Sequence, residues 1–424
     1  MTTYTNFYNL SFIVPGFNEM VNVDDNYSSN ILKLNKVKCR TNNNQKYTVI
    51  RYDKDFLSID LIHLFGLCRS IILNEDRKVV SFAPPKSIPS DRFIGIYPEN
   101  KDSVIAQEFV EGTMINVFWD PKIGLSGGWE IATRNTVGAT SSFYKSPHAK
   151  TFREMFLEAA RVNNLNLDKL DRDCCYSFVL QHHQNRIVVP FKKPQLYLVA
   201  VYNIVTNSEN QVIVNFKTVY EYEQFFLVTL GSSVKFPQKY TYDTYNELIE
   251  KYASMNTSYD ILGVVLYNVL TGERCKIRNP VYEQVRNLRG NQPKLQYQYL
   301  SLRKDGKVKD FLKFYPENKQ DFSIFRDHVH LFTETLYSNY ISCYIKKEKP
   351  LIEFSEQYRT HMFNIHQIYM NELREKKLFI TNTAVINYVN NLHPSLLMFC
   401  LNYQMRKRNV DNISADHYEC QTQS

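Results

Sequence analysis

The sequence predicts an α+β fold followed by a helical C-terminal part. Between residues 47 and 280, short β-branched and aromatic runs such as YTVIRY, RIVVPF and ILGVVLYNV are separated by polar turns, as strands are. Helical spacing of apolar residues appears among these runs at 150–162 and 241–254. Strands with interspersed helices indicate an α+β domain.

Four segments differ in their residue pattern. Residues 1–45 are polar and Asn-rich and predict an N-terminal arm or small lobe, whereas 46–280 form the strand-rich domain. Residues 281–320 are predicted as a basic junction, cut by proteases when RNA is absent. The segment 321–424 is predicted to be all-helical, with helices at 322–345, 354–373 and 383–405, the last interrupted by Pro394.

Composition excludes several classes of protein. Fifty-one basic and 43 acidic residues give a net charge of +8, which permits nucleic-acid binding without requiring it. No run of about 18 apolar residues occurs, and the N-terminus lacks a basic stretch followed by an apolar one, so no membrane partner or secretory signal is expected. The eight cysteines form no C-x-x-C motif, and we interpret them as reduced thiols of a cytoplasmic or virion protein.

Common catalytic motifs are absent from the sequence. There is no G-x-x-x-x-G-K-[ST], no G-x-G-x-x-G, no G-x-S-x-G and no H-E-x-x-H. The histidine pairs do not have the spacing of metal ligands, so no metal-binding residue is predicted. P-loop, Rossmann and zinc-protease mechanisms are therefore not expected.

Six short segments occur in an informative order. They are GLCRS at 66–70, FAPPK at 82–86, EFVEGTM at 108–114, IATRNT at 131–136, YSFVL at 176–180 with NRIV at 185–188, and ILGVV at 261–265 with CKIR at 275–278. In this order the segments resemble the phage-type, tRNA-repair RNA ligase family of the covalent nucleotidyltransferase superfamily. The resemblance covers about residues 50–280 and implies an ATP-grasp-like ligase core built on antiparallel sheets.

The resemblance also implies which residues would carry the chemistry. In that family the lysine of a K-x-D/E-G motif attacks the α-phosphate of ATP, with Mg²⁺ as the metal. Here Glu111 and Gly112 match the end of the motif, but Phe109 stands in the place of the nucleophile and cannot form a phosphoramidate. Val179 and Leu262 stand where the third and fourth motifs usually carry carboxylates. The resemblance thus indicates a degenerate member, of a kind that suits a large DNA virus, with no certain cofactor.

The basic residues of the motifs are retained. Together with Glu111 and Gly112, the predicted nucleotide- or phosphate-binding residues are Arg69, Lys86, Arg134, Arg186, Lys276 and Arg278. We predict that Arg69, Arg134, Lys276 and Arg278 converge on one cleft, with Lys86 at its edge. Cations without carboxylates favour polyanions over Mg-bound ATP.

A basic stretch between residues 274 and 313 holds eleven cations against three carboxylates, with tyrosines interleaved. Cations and stacking rings suit an RNA backbone and its unstacked bases. The predicted RNA-binding residues are Arg286, Arg289, Lys294, Tyr297, Tyr299 and Arg303. The alternative is that these side chains pack within the protein or form a solvated surface.

Three functions remain open at this point. The first is an RNA-ligase-like protein that no longer adenylates itself and acts as an RNA-binding or interaction module. The second is an active ligase with an unconventional nucleophile such as Lys86, using ATP and Mg²⁺. The third is a virion structural component that reuses the fold, with viral proteins as its partners.

Overall fold

The computed structural model describes residues 6–22, 34–98, 102–143 and 149–406. The chain forms two compact units, which divide between Arg286 and Asn287. In the described residues no helix combines the length and apolarity that a membrane crossing needs.

The first unit is built on three antiparallel sheets, whose strands follow most of the β-branched runs of the sequence. The predicted run RIVVPF at 186–191 forms no strand. The strands are β1 (Phe7–Asn9), β2 (Leu34–Arg40), β3 (Lys46–Tyr52), β4 (Ile71–Leu73), β5 (Val79–Phe82), β6 (Val104–Glu108), β7 (Thr113–Asp120), β8 (Gly128–Ala132), β9 (Cys174–Gln181), β10 (Gln195–Thr206), β11 (Val212–Lys217), β12 (Lys239–Tyr240), β13 (Gly263–Asn268) and β14 (Arg274–Arg278). One sheet has the order β1-β11-β10-β9-β7-β8, the second β12-β6-β13-β14 and the third β2-β3-β4-β5.

Seven helices begin in this unit, and the longer ones have the predicted amphipathic spacing. They are α1 (Leu10–Ile13), α2 (Phe17–Asn22), α3 (Ile62–Phe65), α4 (Ser90–Ile96), α5 (Phe152–Val162), α6 (Tyr245–Tyr252) and α7 (Pro280–Arg289). The helix α5 starts at a capping box between Thr151 and Glu154 and buries Met155 and Phe156 in the core. The predicted helices at 150–162 and 241–254 correspond to α5 and α6.

The register of the second sheet determines where the motif residues lie. Lys276 on β14 pairs with Val265 on β13, which in turn pairs with Gln107 on β6. Phe109 follows the last residue of β6 directly, and its N–H donates to the carbonyl of Gly263. The position of the missing nucleophile and the cation-bearing strand β14 are therefore two strands apart in one sheet.

The N-terminal segment differs from the predicted arm. Tyr8 and Leu10 are buried in the main core, together with Phe216 of β11, and β1 adds a sixth strand to the first sheet. The strand β2 pairs with β3 over its whole length, from Leu34 to Arg40. The described residues before 46 thus add two strands, β1 and β2, and two short helices, α1 and α2, to the first unit, because their apolar side chains fill the same core as the later strands.

The second unit consists of helices in its described part. These helices are α8 (Leu295–Lys304), α9 (Val308–Phe314), α10 (Lys319–Tyr340), α11 (Glu356–Ile368), α12 (Asn382–Asn391) and α13 (Pro394–Leu401). The predicted break at Pro394 separates α12 from α13, because proline is accepted in the first turn of a helix and not in its interior. The predicted α+β class, the antiparallel-sheet core and the helical C-terminal part are confirmed.

The predicted basic junction is folded. Residues 281–320 contain most of α7, all of α8 and α9, and the start of α10, and they bury Leu300, Leu302 and Phe311. The predicted boundaries at 280 and 320 enclose a stretch rich in basic residues. The structure divides after Arg286 instead, because the density of charges along the sequence does not indicate which residues are buried. The fold therefore gives no reason to expect a protease-sensitive loop in this segment.

Candidate anion-binding site

A cavity of about 390 Å³ in the first unit is surrounded by cations. We call it the cationic cavity, and its lining residues are Tyr52, Lys54, Leu57, Arg69, Lys86, Ser87, Arg134, Lys276 and Arg278. Six of these nine side chains are basic, and no carboxylate is among them. All five residues that the sequence analysis expected to converge therefore lie around one cavity, while their role in binding stays a prediction.

The strand β14 supplies its cations from alternate positions. Residues at i, i+2 and i+4 of a strand lie on one face, which places Arg274, Lys276 and Arg278 together. The Arg274 guanidinium donates to the carbonyl oxygens of Pro84 and Pro85, at 3.2 and 2.7 Å. These bonds attach the Pro-Pro segment that precedes Lys86 to the cation-bearing strand, so Lys86 and Lys276 lie beside the same cavity.

The cations of the cavity destabilise one another's charged forms. Burial, and then Arg274, lower the pKa of Arg69 to about 10. Burial followed by Arg69 and Arg134 lowers the pKa of Lys86. The largest effect is on Lys276, because burial, Arg274 and Arg69 together lower its pKa to about 6. A bound anion would relieve this repulsion.

Two of the arginines are held in contrasting ways. The Arg134 guanidinium lies 4.9 Å from the centroid of the Tyr52 ring, and its Nε is buried without a hydrogen-bond partner in the described structure. The exposed Arg278, by contrast, donates to Glu283 at 2.6 Å. Arg134 is therefore preoriented by stacking and keeps donors for a ligand, whereas the charge of Arg278 is already offset in part.

Phe109 occupies the edge of the cation cluster. The Lys276 Nζ lies 4.5 Å from the centroid of its ring, and the Arg278 guanidinium lies 5.7 Å away. Val179 and Leu262 are buried and do not line the cavity. The three positions at which the resemblance leads us to expect a nucleophile and two carboxylates thus hold apolar side chains.

Glu111 and Gly112, which are predicted to contact a ligand, make contacts within the fold. The Glu111 carboxylate accepts hydrogen bonds from the N–H groups of Val188 and Val189, at 2.8 and 3.1 Å, and burial raises its pKa. At Gly112 the φ angle is +147°, and a Cβ atom would lie 2.5 Å from the carbonyl oxygen of Leu180. Both residues therefore have a structural role, and their contact with a ligand stays a prediction.

Arg186 is also placed apart from the cationic cavity. Its Nε donates to the carbonyl oxygen of Val188 at 2.9 Å, and its charge acts on the pKa of Glu111. It therefore supports the same segment that Glu111 binds. The expected phosphate role of Arg186 has no counterpart in the lining of the cavity.

The predicted RNA-binding residues fall into two groups. Tyr299 is only 3% exposed and packs on Phe322 and Phe325, with ring centroids 5.1 and 6.0 Å apart. Arg303 donates to Asn390 at 2.6 Å. Tyr299 cannot stack on a base from this position, so the prediction for that residue is wrong. Arg303 already makes an intramolecular hydrogen bond.

The other four predicted RNA-binding residues are at least partly accessible. Lys294 is exposed, and Tyr297 is half-buried on α8. The half-buried Arg286 contacts Glu283 at 3.3 Å, and Arg289 donates to the carbonyl oxygen of Gly290 at 3.4 Å. Their contact with RNA stays a prediction.

Some residues of the cavity were missed by the sequence analysis. Tyr52 ends β3 and Lys54 follows it, and neither belongs to the segments that carry the resemblance. Arg274 was counted only in the basic stretch, although it anchors the Pro-Pro segment. In the described residues, no cluster of three or more histidine, cysteine, aspartate or glutamate side chains could hold a metal ion.

Comparison with known proteins finds similarity to RNA ligases. No family model matches the sequence. An RNA ligase of Rhodothermus phage RM378 is 21% identical over 295 residues, which are 61% of this chain and 64% of the relative. The chain is RNA-ligase-like. The predicted resemblance to RNA ligases is thereby confirmed.

A second relative of this RNA-ligase-like chain is also viral. It is the immediate-early protein ICP-46 of Frog virus 3, 24% identical over 254 residues, which are 56% of this chain and 59% of the relative. The chain thus spans about three fifths of the length of the curated relatives it matches.

Solved RNA ligases show a similar but distant arrangement. The Naegleria gruberi RNA ligase with PPi has a TM-score of 0.33 and 13% identity, covering 59% of this chain and 97% of that one. An archaeal ATP-dependent RNA ligase has a TM-score of 0.37 and 12% identity, covering 90% and 76%.

Proposed function

We propose that this chain is a non-adenylating, RNA-ligase-like protein of viral type that binds the phosphates of RNA in its cationic cavity. The observation that carries the proposal is the convergence of six basic side chains, without a carboxylate, around about 390 Å³. Such a cavity attracts a polyanion directly and offers no ligand to a metal ion. RNA, as the polyanion, is taken from the phage relative, which is an RNA ligase.

The absence of self-adenylation rests on Phe109. Its side chain has no lone pair, so a phosphoramidate cannot form at that position. Its ring instead covers one side of Lys276, 4.5 Å from the amine. Val179 and Leu262 provide no carboxylate for a metal or a ribose.

A specific observation favours the active-ligase alternative over the structural one. Lys276, whose pKa is lowered to about 6, lies against the position at which the nucleophile would be expected. A neutral amine there has the lone pair that covalent catalysis requires. Lys276 is therefore a stronger candidate than Lys86 for an unconventional nucleophile, should one exist.

Incubation with labelled nucleotide distinguishes the proposed non-adenylating protein from an active ligase. The full chain, incubated with labelled ATP or GTP and Mg²⁺ or Mn²⁺, is expected to show no labelled band after denaturing electrophoresis. Phe109→Lys alone is also expected to show none, because Val179 and Leu262 still lack carboxylates. A band that survives denaturation in the wild type contradicts the proposal, and mapping it to Lys276 or Lys86 would establish the active ligase.

RNA binding is expected to depend on the cavity. Lys86→Met and Arg134→Met should each weaken binding of single-stranded RNA about tenfold, because each removes a charged hydrogen-bond donor worth about 1.5–3 kcal/mol. The exposed Arg161 on α5 is a matched control, and Arg161→Met should leave affinity unchanged.

The measurement is filter binding between about 50 and 200 mM salt, where each neutralised phosphate of a single strand contributes about 0.7 to the slope of log affinity against log salt. Each cavity variant should reduce that slope, and Arg161→Met should not. Wild-type protein that does not bind RNA at about 50 mM salt would favour the virion structural component instead.

A further inference from the structure

Lys276 is the cation of the cavity whose surroundings support a charge least. Its amine lies against the Phe109 ring on one side, at 4.5 Å from the centroid. Arg274 and Arg278 flank it at alternate positions of the same strand, and Arg69 adds a third guanidinium. Burial and these neighbours lower its pKa to about 6, whereas an ordinary lysine titrates near 10.5.

The groups that face Lys276 come from five separate parts of the first unit. They are Tyr52 and Lys54 at the end of β3, Arg69 after α3, Lys86 after β5, Arg134 after β8, and Arg274 and Arg278 on β14 itself. None of these side chains is a carboxylate. The carboxylate of Glu283 already accepts from Arg278 at 2.6 Å. In the free protein the face of the Phe109 ring compensates a charge on Lys276 in part, but no carboxylate of the cavity lining does.

We propose that Lys276 takes up one proton when a phosphate group binds in the cavity, because its amine lies among guanidinium groups and no carboxylate lines the cavity. The proposal rests on the proposed function, since it concerns the same cavity and the same class of ligand. The step forms one N–H bond, with the lone pair of Nζ accepting H⁺, and it changes no other bond. A phosphodiester carries no proton of its own at neutral pH, so the proton comes from solvent.

The physical reason is that a bound phosphate brings a negative charge to Nζ, which in the free protein is surrounded by positive charges. A phosphate oxygen placed among the cations is an opposite charge within a few ångströms of Nζ, and such a charge favours the ammonium form. The bound state then contains one more ion pair than the free state. A terminal phosphate monoester, whose second pKa is near 6, can supply this proton itself when it arrives as the monoanion.

The sign of the pH dependence follows from these two states. Below about pH 6 Lys276 is already charged in the free protein, so RNA affinity does not change with protonation of this group. Above about pH 6 binding must include proton uptake, and affinity falls by up to tenfold for each pH unit. The loss ends at the pKa that Lys276 has in the complex.

Calorimetry of the full chain with an oligo(A) RNA that lacks terminal phosphates tests this inference, because its diesters and bases do not titrate between about pH 7 and 8.5. Binding enthalpies measured in several buffers of different ionisation enthalpy give the number of protons taken up, and we expect about one per cavity. Lys276→Arg, which stays charged at any accessible pH, should bind RNA without proton uptake and with little dependence on pH. Lys169→Arg makes the same change at an exposed lysine outside the cavity lining and should retain the uptake.

The outcomes separate the inference from the proposed function. Wild-type chain that fails to bind the RNA overturns both. Binding without proton uptake, or uptake that persists in Lys276→Arg, overturns the inference and leaves the proposed function standing. If Lys276→Arg folds poorly, the ¹³Cε resonance of Lys276 in the free wild-type protein is followed as a function of pH instead. A titration in the ordinary lysine range contradicts the inference.

Discussion

Tyr299→Ala is expected to lower the free energy of unfolding of the helical unit by about 3–5 kcal/mol, the range found when a large aromatic side chain is removed from a core. The ring is 3% exposed and lies between Phe322 and Phe325 of α10. Its removal leaves a cavity that the surrounding helices can fill only in part. Urea denaturation of the full chain, followed by circular dichroism, measures the change.

The controls for this experiment lie on the same helix. Tyr299→Phe keeps the ring and should change stability by less than about 1 kcal/mol. Tyr297→Ala removes a half-buried tyrosine and should cost less than Tyr299→Ala. If Tyr299→Ala weakened RNA binding while leaving unfolding unchanged, the original prediction of base stacking by Tyr299 would be restored.

Glu111→Ala should destabilise the first unit by about 2–5 kcal/mol, because it leaves the buried N–H groups of Val188 and Val189 without an acceptor. Each unsatisfied donor costs about 1–3 kcal/mol. The measurement is again denaturant unfolding, combined with hydrogen exchange at Val188 and Val189, whose amides should lose their protection.

Glu111→Gln is the matched variant for this site. It keeps one carbonyl oxygen that can accept from Val188, so its loss of stability should be smaller than that of Glu111→Ala. Wild-type stability in Glu111→Ala, accompanied by loss of nucleotide or RNA binding, would return Glu111 to the ligand-binding role that its motif first suggested.

The cationic cavity was the part of the site that the sequence could predict. Arg69, Arg134 and Lys276 come from segments far apart in the chain, and only the order of the motifs placed them together. Ligand binding was predicted for Glu111 because the sequence of a carboxylate followed by glycine is the same whether the carboxylate binds a ligand or backbone amides. Which of the two the carboxylate binds depends on where the segment 186–189 lies, and the tertiary structure determines that position.

The helical unit shows a different limit. Tyr299 was assigned to RNA because it lies in a basic stretch, yet Leu295, Tyr299 and Leu302 recur at the spacing of one helix face. That periodicity was the available signal for burial. The N-terminal strands β1 and β2 could not be predicted as parts of the sheets, since their pairing with β11 and β3 depends on partners that the local sequence does not name.

Gly112 has a consequence for how such proteins are recognised. A side chain at this position would collide with the backbone of Leu180 and the side chain of Val179, whatever the chain binds. Together with the hydrogen bonds that Glu111 accepts from backbone amides, this means that the acidic-glycine pair stabilises the fold. Selection for a stable fold alone would retain the pair after catalysis had been lost. Surveys that count this pair as a sign of ligase activity would therefore include inactive descendants, and the residue two positions before Glu111 is the better diagnostic.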